Sequence, residues 1–201
     1  RRPIRRAAIP RDARRHRVRP AGGGRRRGAL YPPACGYARG GGRRRASSVQ
    51  SVSVVFRGAT DAEFLSALHA DAFGPAAWSA ASIAASLTAG AIAFLAAPTE
   101  SEPPQALAMA RAAGDESELL TLGVGAQARR RGLGRALLDA AMADAAESGA
   151  VAMILEVADD NAAARALYEA AGFHRIGGRP FYYRRPYGAT ADAIIMRRAL
   201  F

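Results

Sequence analysis

From Ser51 onward the apolar positions switch between a two-residue and a 3.6-residue period, the pattern of an α/β domain. Val52–Phe56 reads as a strand. Thr60 and Asp61 offer an N-cap for a helix running to about Phe73, with Phe64, Leu65, Leu68 and Ala72 on one face. Gly74-Pro75 breaks it, and Trp78 leads into a second helix over about Ser79–Thr88, ended by Gly90. Ala91–Ala97 is an apolar strand, and Leu107–Ala112 and Glu118–Val124 form a hairpin around Gly114-Asp115. A long helix then runs from about Gly132 to Ser148, with Leu133, Leu137, Leu138, Ala141 and Met142 turned inward. Val151–Val157 is the most hydrophobic strand of the chain. Asp160 or Asn161 caps a further helix, and Gly172 closes it at the C′ position. Phe173–Gly177 and Asp192–Arg198 are the expected last strands, separated by a loop over Gly178–Ala191. The predicted order is β-α-α-β-β-β-α-β-α-β-β, an α/β fold with a mixed sheet.

Charge divides the chain at the point where this pattern begins. The 201 residues carry 29 basic side chains, all arginine, against 17 acids, for a net charge of +12. Residues 1–45 hold 16 of the arginines and a single acid, Asp12, so the remainder is slightly acidic. Residues 1–46 are Arg, Gly, Pro and Ala with almost no bulky apolar side chains, and are expected to stay disordered because little burial offsets their ordering entropy. Such an arm suits non-specific contact with nucleic-acid phosphates, although Tyr31 and Tyr37 are too few for a base-stacking platform. It also has the Arg content, without the Ser and the amphipathic pattern, of an organelle transit peptide. A third reading is an overlong gene model: these four residues are what GC-rich DNA encodes in many frames, and a true start near Val49–Val54 fits the onset of the pattern. Residues 51–201 are the domain to be explained.

Composition narrows the function. Cys35 is the only cysteine, so no internal disulfide forms, and His16, His69 and His174 are too scattered for a zinc site. No metal is expected. No run of 18 apolar residues exists, which points to a soluble, cytoplasmic protein without a membrane partner.

The chemistry is concentrated in two stretches. Leu119-Leu120-Thr121-Leu122-Gly123-Val124 is a strand that leads, through Arg129, Arg130 and Arg131, to a helix opening on Gly132-Leu133-Gly134-Arg135. Free N–H groups and the positive dipole end of that helix make a pyrophosphate site, glycines permit close backbone approach, and the arginines add charge-assisted contacts. An ordinary helix start is the alternative for so short a motif. Neither a Gly-Lys-Ser/Thr loop nor a GxGxxG fingerprint is present. The second stretch is Ile154-Leu155-Glu156-Val157, then Asn161, then Leu167-Tyr168 and Gly172-Phe173.

Arg-x-x-Gly-x-Gly after a strand, followed by Leu-Glu-Val, Asn, Leu-Tyr and Gly-Phe, resembles the GNAT superfamily of N-acetyltransferases, most closely its ribosomal-protein alanine N-acetyltransferase subgroup. The likeness covers about Val52 to Arg198 and includes Ala72-Phe73, Trp78-Ser79, Tyr182-Tyr183 and Asp192-Ala193-Ile194-Ile195-Met196. Gly125-Ala126 departs from the Asp-Pro common in that family after the strand. The resemblance implies a mostly antiparallel mixed sheet of about seven strands flanked by about four helices. It implies acetyl-CoA as co-substrate, held by Leu122–Val124, Arg129–Arg135, Asn161 and Tyr168. The implied acceptor is a protein N-terminus, with the alanine of small-subunit ribosomal protein eighteen as the subgroup's usual target; another N-terminus or a small amine is the alternative within the fold. A silent domain that carries an RNA-binding arm is the alternative outside it.

Roles follow for single residues. Glu156 shares a strand face with Ile154, opposite Leu155 and Val157, so it is partly desolvated. In the subgroup the Glu at this place is the general base; a structural Glu paired with a nearby Arg is the other reading, and Glu118 is a rival base. Tyr168, seven residues after Asn161 and so on the same helical face, corresponds to the general acid that protonates the leaving thiolate, unless it only packs in the core. Cys35 is the only thiol and no Ser or Cys pairs with a His, so direct attack of the amine is expected rather than an acyl-enzyme. Trp78, Phe181, Tyr182 and Tyr183 offer aromatic walls for the acceptor, and Asp192 an acidic contact.

Overall fold

The computed structural model describes residues 15–16, 54–184 and 188–201. The elements are β1 (Arg15–His16), β2 (Val54–Arg57), α1 (Ala62–Phe73), α2 (Ala80–Thr88), β3 (Ile92–Ala97), β4 (Ala106–Ala113), β5 (Glu116–Val124), α3 (Leu133–Glu147), β6 (Ala152–Ala158), α4 (Ala162–Ala170), β7 (His174–Arg184) and β8 (Thr190–Ala199). From Val54 on, type and order match the sequence pattern. Within the arm, Arg15 and His16 pair antiparallel with Phe56 and Val55 at the sheet edge, so these two residues are not the unstructured chain expected of them. The rest of the arm, Cys35 included, lies outside the described residues.

The helix ends are set by local chemistry. The Asp61 carboxylate accepts from Phe64 N at 3.0 Å, and Ser79 Oγ accepts from Ser82 N at 3.1 Å. Such caps each contribute about 1 kcal/mol. α3 has no side-chain cap; it is launched by Gly132 in the left-handed conformation, φ 82°.

The strands lie in the order β1-β2-β3-β4-β5-β6-β8-β7. All pairs are antiparallel except β5 and β6. Alternation builds a core on each face of the sheet. Phe94, Ala108, Met153, Leu155, Val157, Ile194 and Met196 join the buried face of α3, Leu133, Leu137 and Leu138 among them. Leu95, Leu107 and Met109 point the other way, onto Leu65 of α1 and Ile83 of α2. Every inward residue predicted for the long helix is buried. Truncating one of these leucines to alanine costs about 2–5 kcal/mol.

One expected loop is strand. The segment from Gly178 to Arg184 continues β7, and β8 begins at Thr190. Sequence alternation fails there because the strand is irregular: the register shifts between Arg175 and Gly177 and again between Arg179 and Tyr183. Pro180 is accommodated where the ladder is interrupted, and Phe181 takes φ 55°, in the left-handed region.

Candidate active site

The parallel pair at the centre of the sheet comes apart. β5 and β6 are in register from Glu116 with Ala152 to Leu119 with Leu155. Beyond that point β5 stays on β4 as far as Val124, and β6 stays on β8 as far as Ala158. Leu120–Val124 and Glu156–Ala158 are therefore the two arms of a fork, each with one backbone edge unpaired by the other. An extended amide-bearing chain can add to such an edge.

At the end of the first arm stands the start of α3. Ala136 is the first amide satisfied within the helix, by Gly132 O at 3.0 Å, and no side chain caps the turn. The Leu133, Gly134 and Arg135 amides are left pointing outward, with the positive end of the helix dipole behind them. A Cβ on Gly132 would meet nothing within 4 Å, so the space beside the turn that launches α3 is open. One on Gly134 would lie 3.5 Å from both Leu167 and Val124 and 3.6 Å from Leu122. The first turn of α3 thus sits where β5 and α4 converge.

The neighbouring arginines are not equivalent. Arg129 is exposed and lies along the surface, donating to Val124 O at 3.3 Å and Ala72 O at 3.1 Å, and so braces the strand end against α1. Arg131 pairs with Glu102 at 3.6 Å, and Arg135 with Asp139 at 2.8 Å. Arg130 is exposed, at φ 63°, with no ion-pair partner among the described residues. Among the described residues neither Arg129 nor Arg130 is neutralised by an acid, and of the two Arg130 is the one not engaged by backbone carbonyls.

Glu156 and Tyr168 approach the fork from opposite faces of the sheet. Leu155 and Val157 belong to the α3 core, so Glu156 between them faces the α1–α2 side. Its Oε1 lies 3.1 Å from Arg179 Nη2 of β7. Tyr168 is packed in the α3 core, its ring 5.9 Å from Phe173. Among the described residues its hydroxyl has no hydrogen-bond partner. Burial, helped by the nearby Tyr183 hydroxyl, pushes the phenol up to about 12, which keeps its proton in place at neutral pH. Glu118, the rival base, is engaged by Arg111 at 2.8 Å.

Other predicted residues serve the scaffold. Asn161 is exposed, and its Oδ1 caps α4 by accepting from Ala164 N at 3.1 Å. Asp192 is exposed, and its Oδ1 accepts from Phe181 N at 2.8 Å, pinning the interruption in β7. Phe181 and Tyr182 are exposed, and Tyr182 meets Tyr183 edge-on at 5.2 Å. Trp78 is half-buried against the α1–α2 core.

His69 was not singled out by the sequence, yet it ties α1 and the Trp78 loop to β5. It is 2% exposed and stacks between Phe73 at 4.2 Å and Trp78 at 5.3 Å. Nδ1 accepts from Trp78 N at 3.1 Å, which fixes the neutral tautomer with the proton on Nε2; Nε2 then donates to Thr121 Oγ1 at 3.1 Å. Burial lowers its pKa to about 4. Its spacing of four from Leu65, on the buried stripe of α1, was the available signal.

Among the described residues no cluster of His, Cys, Asp or Glu could hold a metal ion, and no helix is long and apolar enough to cross a membrane. Comparison with known proteins agrees with this geometry. Residues 65–173 match the model of the acetyltransferase (GNAT) family. The [ribosomal protein bS18]-alanine N-acetyltransferase of Salmonella typhimurium is 44% identical over 82 residues, 41% of this chain and 55% of that protein, so the match spans about half of that relative's length. The crystal structure of the ribosomal-protein-S18-alanine N-acetyltransferase from Escherichia coli superposes with a TM-score of 0.67 at 30% identity, covering 74% of this chain and 94% of that one. The structure of yncA from Salmonella typhimurium, solved with acetyl-CoA, shares the fold with a TM-score of 0.60 at 20% identity, over 74% of this chain and 94% of that one. With the fork, the uncapped helix start and the family match in agreement, the chain belongs to the GNAT family of acetyltransferases.

Proposed function

We propose that this chain is a cytoplasmic N-α-acetyltransferase that moves acetyl from acetyl-CoA to a protein N-terminal amine, with the N-terminal alanine of ribosomal protein bS18 as acceptor. The observation that carries the reading is the fork between Leu120–Val124 and Glu156–Ala158, with open amides at one end and the two candidate proton-transfer groups on its opposite faces. The named relatives act on that alanine, and the solved yncA structure holds acetyl-CoA in the same fold.

The residues divide the work as follows. The Leu133, Gly134 and Arg135 amides, with Arg130 beside them, hold the diphosphate of coenzyme A. The unpaired edge of Leu122–Val124 pairs with the pantetheine amides, and its N–H groups polarise the thioester carbonyl. The acceptor enters from the α1–α2 face, between the Trp78 loop and the aromatic residues of β7. Its nitrogen attacks the thioester carbon, the C–S bond breaks, Glu156 receives the proton lost by nitrogen, and Tyr168 gives its proton to the thiolate. A free N-terminal amine has a pKa of about 7.7–8.0, so Glu156 has only a modest task.

The test is intact-mass analysis of bS18, and of unrelated Ala- and Ser-initiated peptides, incubated with enzyme and acetyl-CoA. A gain of one acetyl group at the bS18 N-terminus supports the reading. Acetylation of the other peptides alone moves the acceptor elsewhere, and no acetylation of any amine overturns the assignment.

A further inference from the structure

Arg179 joins the two sides of the acceptor cleft. Its guanidinium is 3.1 Å from Glu156 on β6 and 5.4 Å from the centre of the Tyr182 ring on its own strand. To reach Glu156 it crosses β8, where its register partner is the small, buried Ala193. The side chain is aimed by the interruption in β7: Asp192 holds the Phe181 amide, which turns Pro180–Tyr182 out of the ladder immediately after Arg179. Arg179 is 56% exposed at its side chain and Glu156 22%, so the cation can swing while the carboxylate cannot.

A lone carboxylate at this point would hold an incoming α-ammonium as an ion pair, keeping the nitrogen protonated and unable to attack. With the guanidinium already on Glu156, that attraction is spent, and a second cation meets a fixed positive charge that no pH in the working range removes. The other ionisable groups around the cleft do not compensate. On β5, Glu118 is neutralised by Arg111; on β8, Ile195 faces Glu156, Arg197 is taken by Glu116, and Asp192 keeps its charge but alternates with Ala193 onto the face of Ile194, away from Glu156, where it accepts from the Phe181 amide. His69 under β5 stays neutral and Tyr168 of α4 stays protonated across pH 6–9. His174, the β7 histidine, lies at the far end of that strand.

We propose that Arg179 is a positioning residue that makes the cleft take the acceptor amine in its uncharged form, and that its guanidinium swings off Glu156 so that the carboxylate collects the proton only as the C–N bond forms. The inference rests on the assignment of Glu156 as base. It ties acceptor selectivity to charge: the cleft discriminates against cations, and a neutral N-terminus is its ligand.

The experiment measures kcat and KM separately for an Ala-initiated peptide from pH 6 to 9, in the parent, Arg179→Gln and Arg179→Lys, with peptide affinity read by calorimetry at pH 6. In the parent, kcat stays level while KM rises about tenfold per unit below the amine pKa. In Arg179→Gln, KM levels off and kcat falls instead, because the ammonium form now binds unproductively; calorimetric affinity at pH 6 improves by about tenfold. Arg179→Lys restores the parent pattern. Equal pH profiles in the parent and Arg179→Gln, with unchanged affinity at pH 6, overturn the proposal while leaving the base assignment intact. Full activity in Glu156→Gln overturns the base assignment, and this proposal with it.

Discussion

His69 of α1 and Thr121 of β5 are joined by a hydrogen bond of 3.1 Å that links α1 to one arm of the fork. Because Trp78 N occupies the other ring nitrogen, a second proton has no acceptor there, and burial already disfavours the charged ring. The folded-state pKa of about 4 lies below the ordinary 6.5, so protons bind preferentially to the unfolded chain. The stabilisation is complete above pH 6.5 and is lost as pH falls towards 4, by up to about 3 kcal/mol. Denaturant titrations of the parent and His69→Gln between pH 7 and 4 should show the parent losing more stability over that window. Parallel curves would mean that His69 is not a buried neutral ring.

Gly123 is required by packing rather than by conformation. A Cβ there would lie 2.6 Å from the Phe73 ring and 2.8 Å from Ala72 Cβ. Phe73 is partly exposed and can turn aside, but Ala72 is carried by the backbone of α1, so the helix must move off β5. Gly123→Ala should lower stability by about 1–3 kcal/mol and shift the His69–Thr121 contact with it. Thermal unfolding within 1 °C of the parent would refute the close approach.

Tyr168→Phe removes only the hydroxyl from a ring that stays packed against Phe173. Turnover should fall by about two orders of magnitude with coenzyme A affinity and thermal midpoint near the parent values, the loss that a missing general acid produces. Glu156→Gln should behave likewise. If both variants turn over at parental rates, the pair of residues is structural, and the ion pair of Glu156 with Arg179 is its whole role.

What was legible in the sequence was what is decided locally. Asp61, Ser79, Asn161 and Gly172 mark helix ends through bonds to residues three or four away or through a single backbone conformation. The apolar stripe of α3 and the alternation of β3 and β4 need only their own periodicity. The parts that were not legible depend on partners distant in the chain. Residues 178–184 read as a loop because the Gly177-Gly178 pair at their start, Pro180 and an interrupted register erase alternation, while the bonds that keep them in the sheet come from β8. Glu156 could be placed on a strand face from its neighbours, but its guanidinium partner stands two strands away. Asn161 could be read as a cap of α4 from its place in the chain, and its Oδ1 does accept from Ala164 N.

The diphosphate assignment turns on Gly132, whose φ of 82° is a conformation that β-branched residues resist. Space is not the obstacle there, since a Cβ would touch nothing. Gly132→Val therefore acts through the backbone: to escape the left-handed region, the turn before α3 must rotate, which misaligns the Leu133 and Gly134 amides. Gly132→Asn tolerates that region and should keep the amides in place. Calorimetry with coenzyme A should then find binding lost in the valine variant and reduced no more than about tenfold in the asparagine variant. The thermal midpoint should drop only slightly in both, because the position is exposed and outside the core. Parental affinity in Gly132→Val would show that the uncapped start of α3 does not hold the diphosphate, and the open amides would need another ligand.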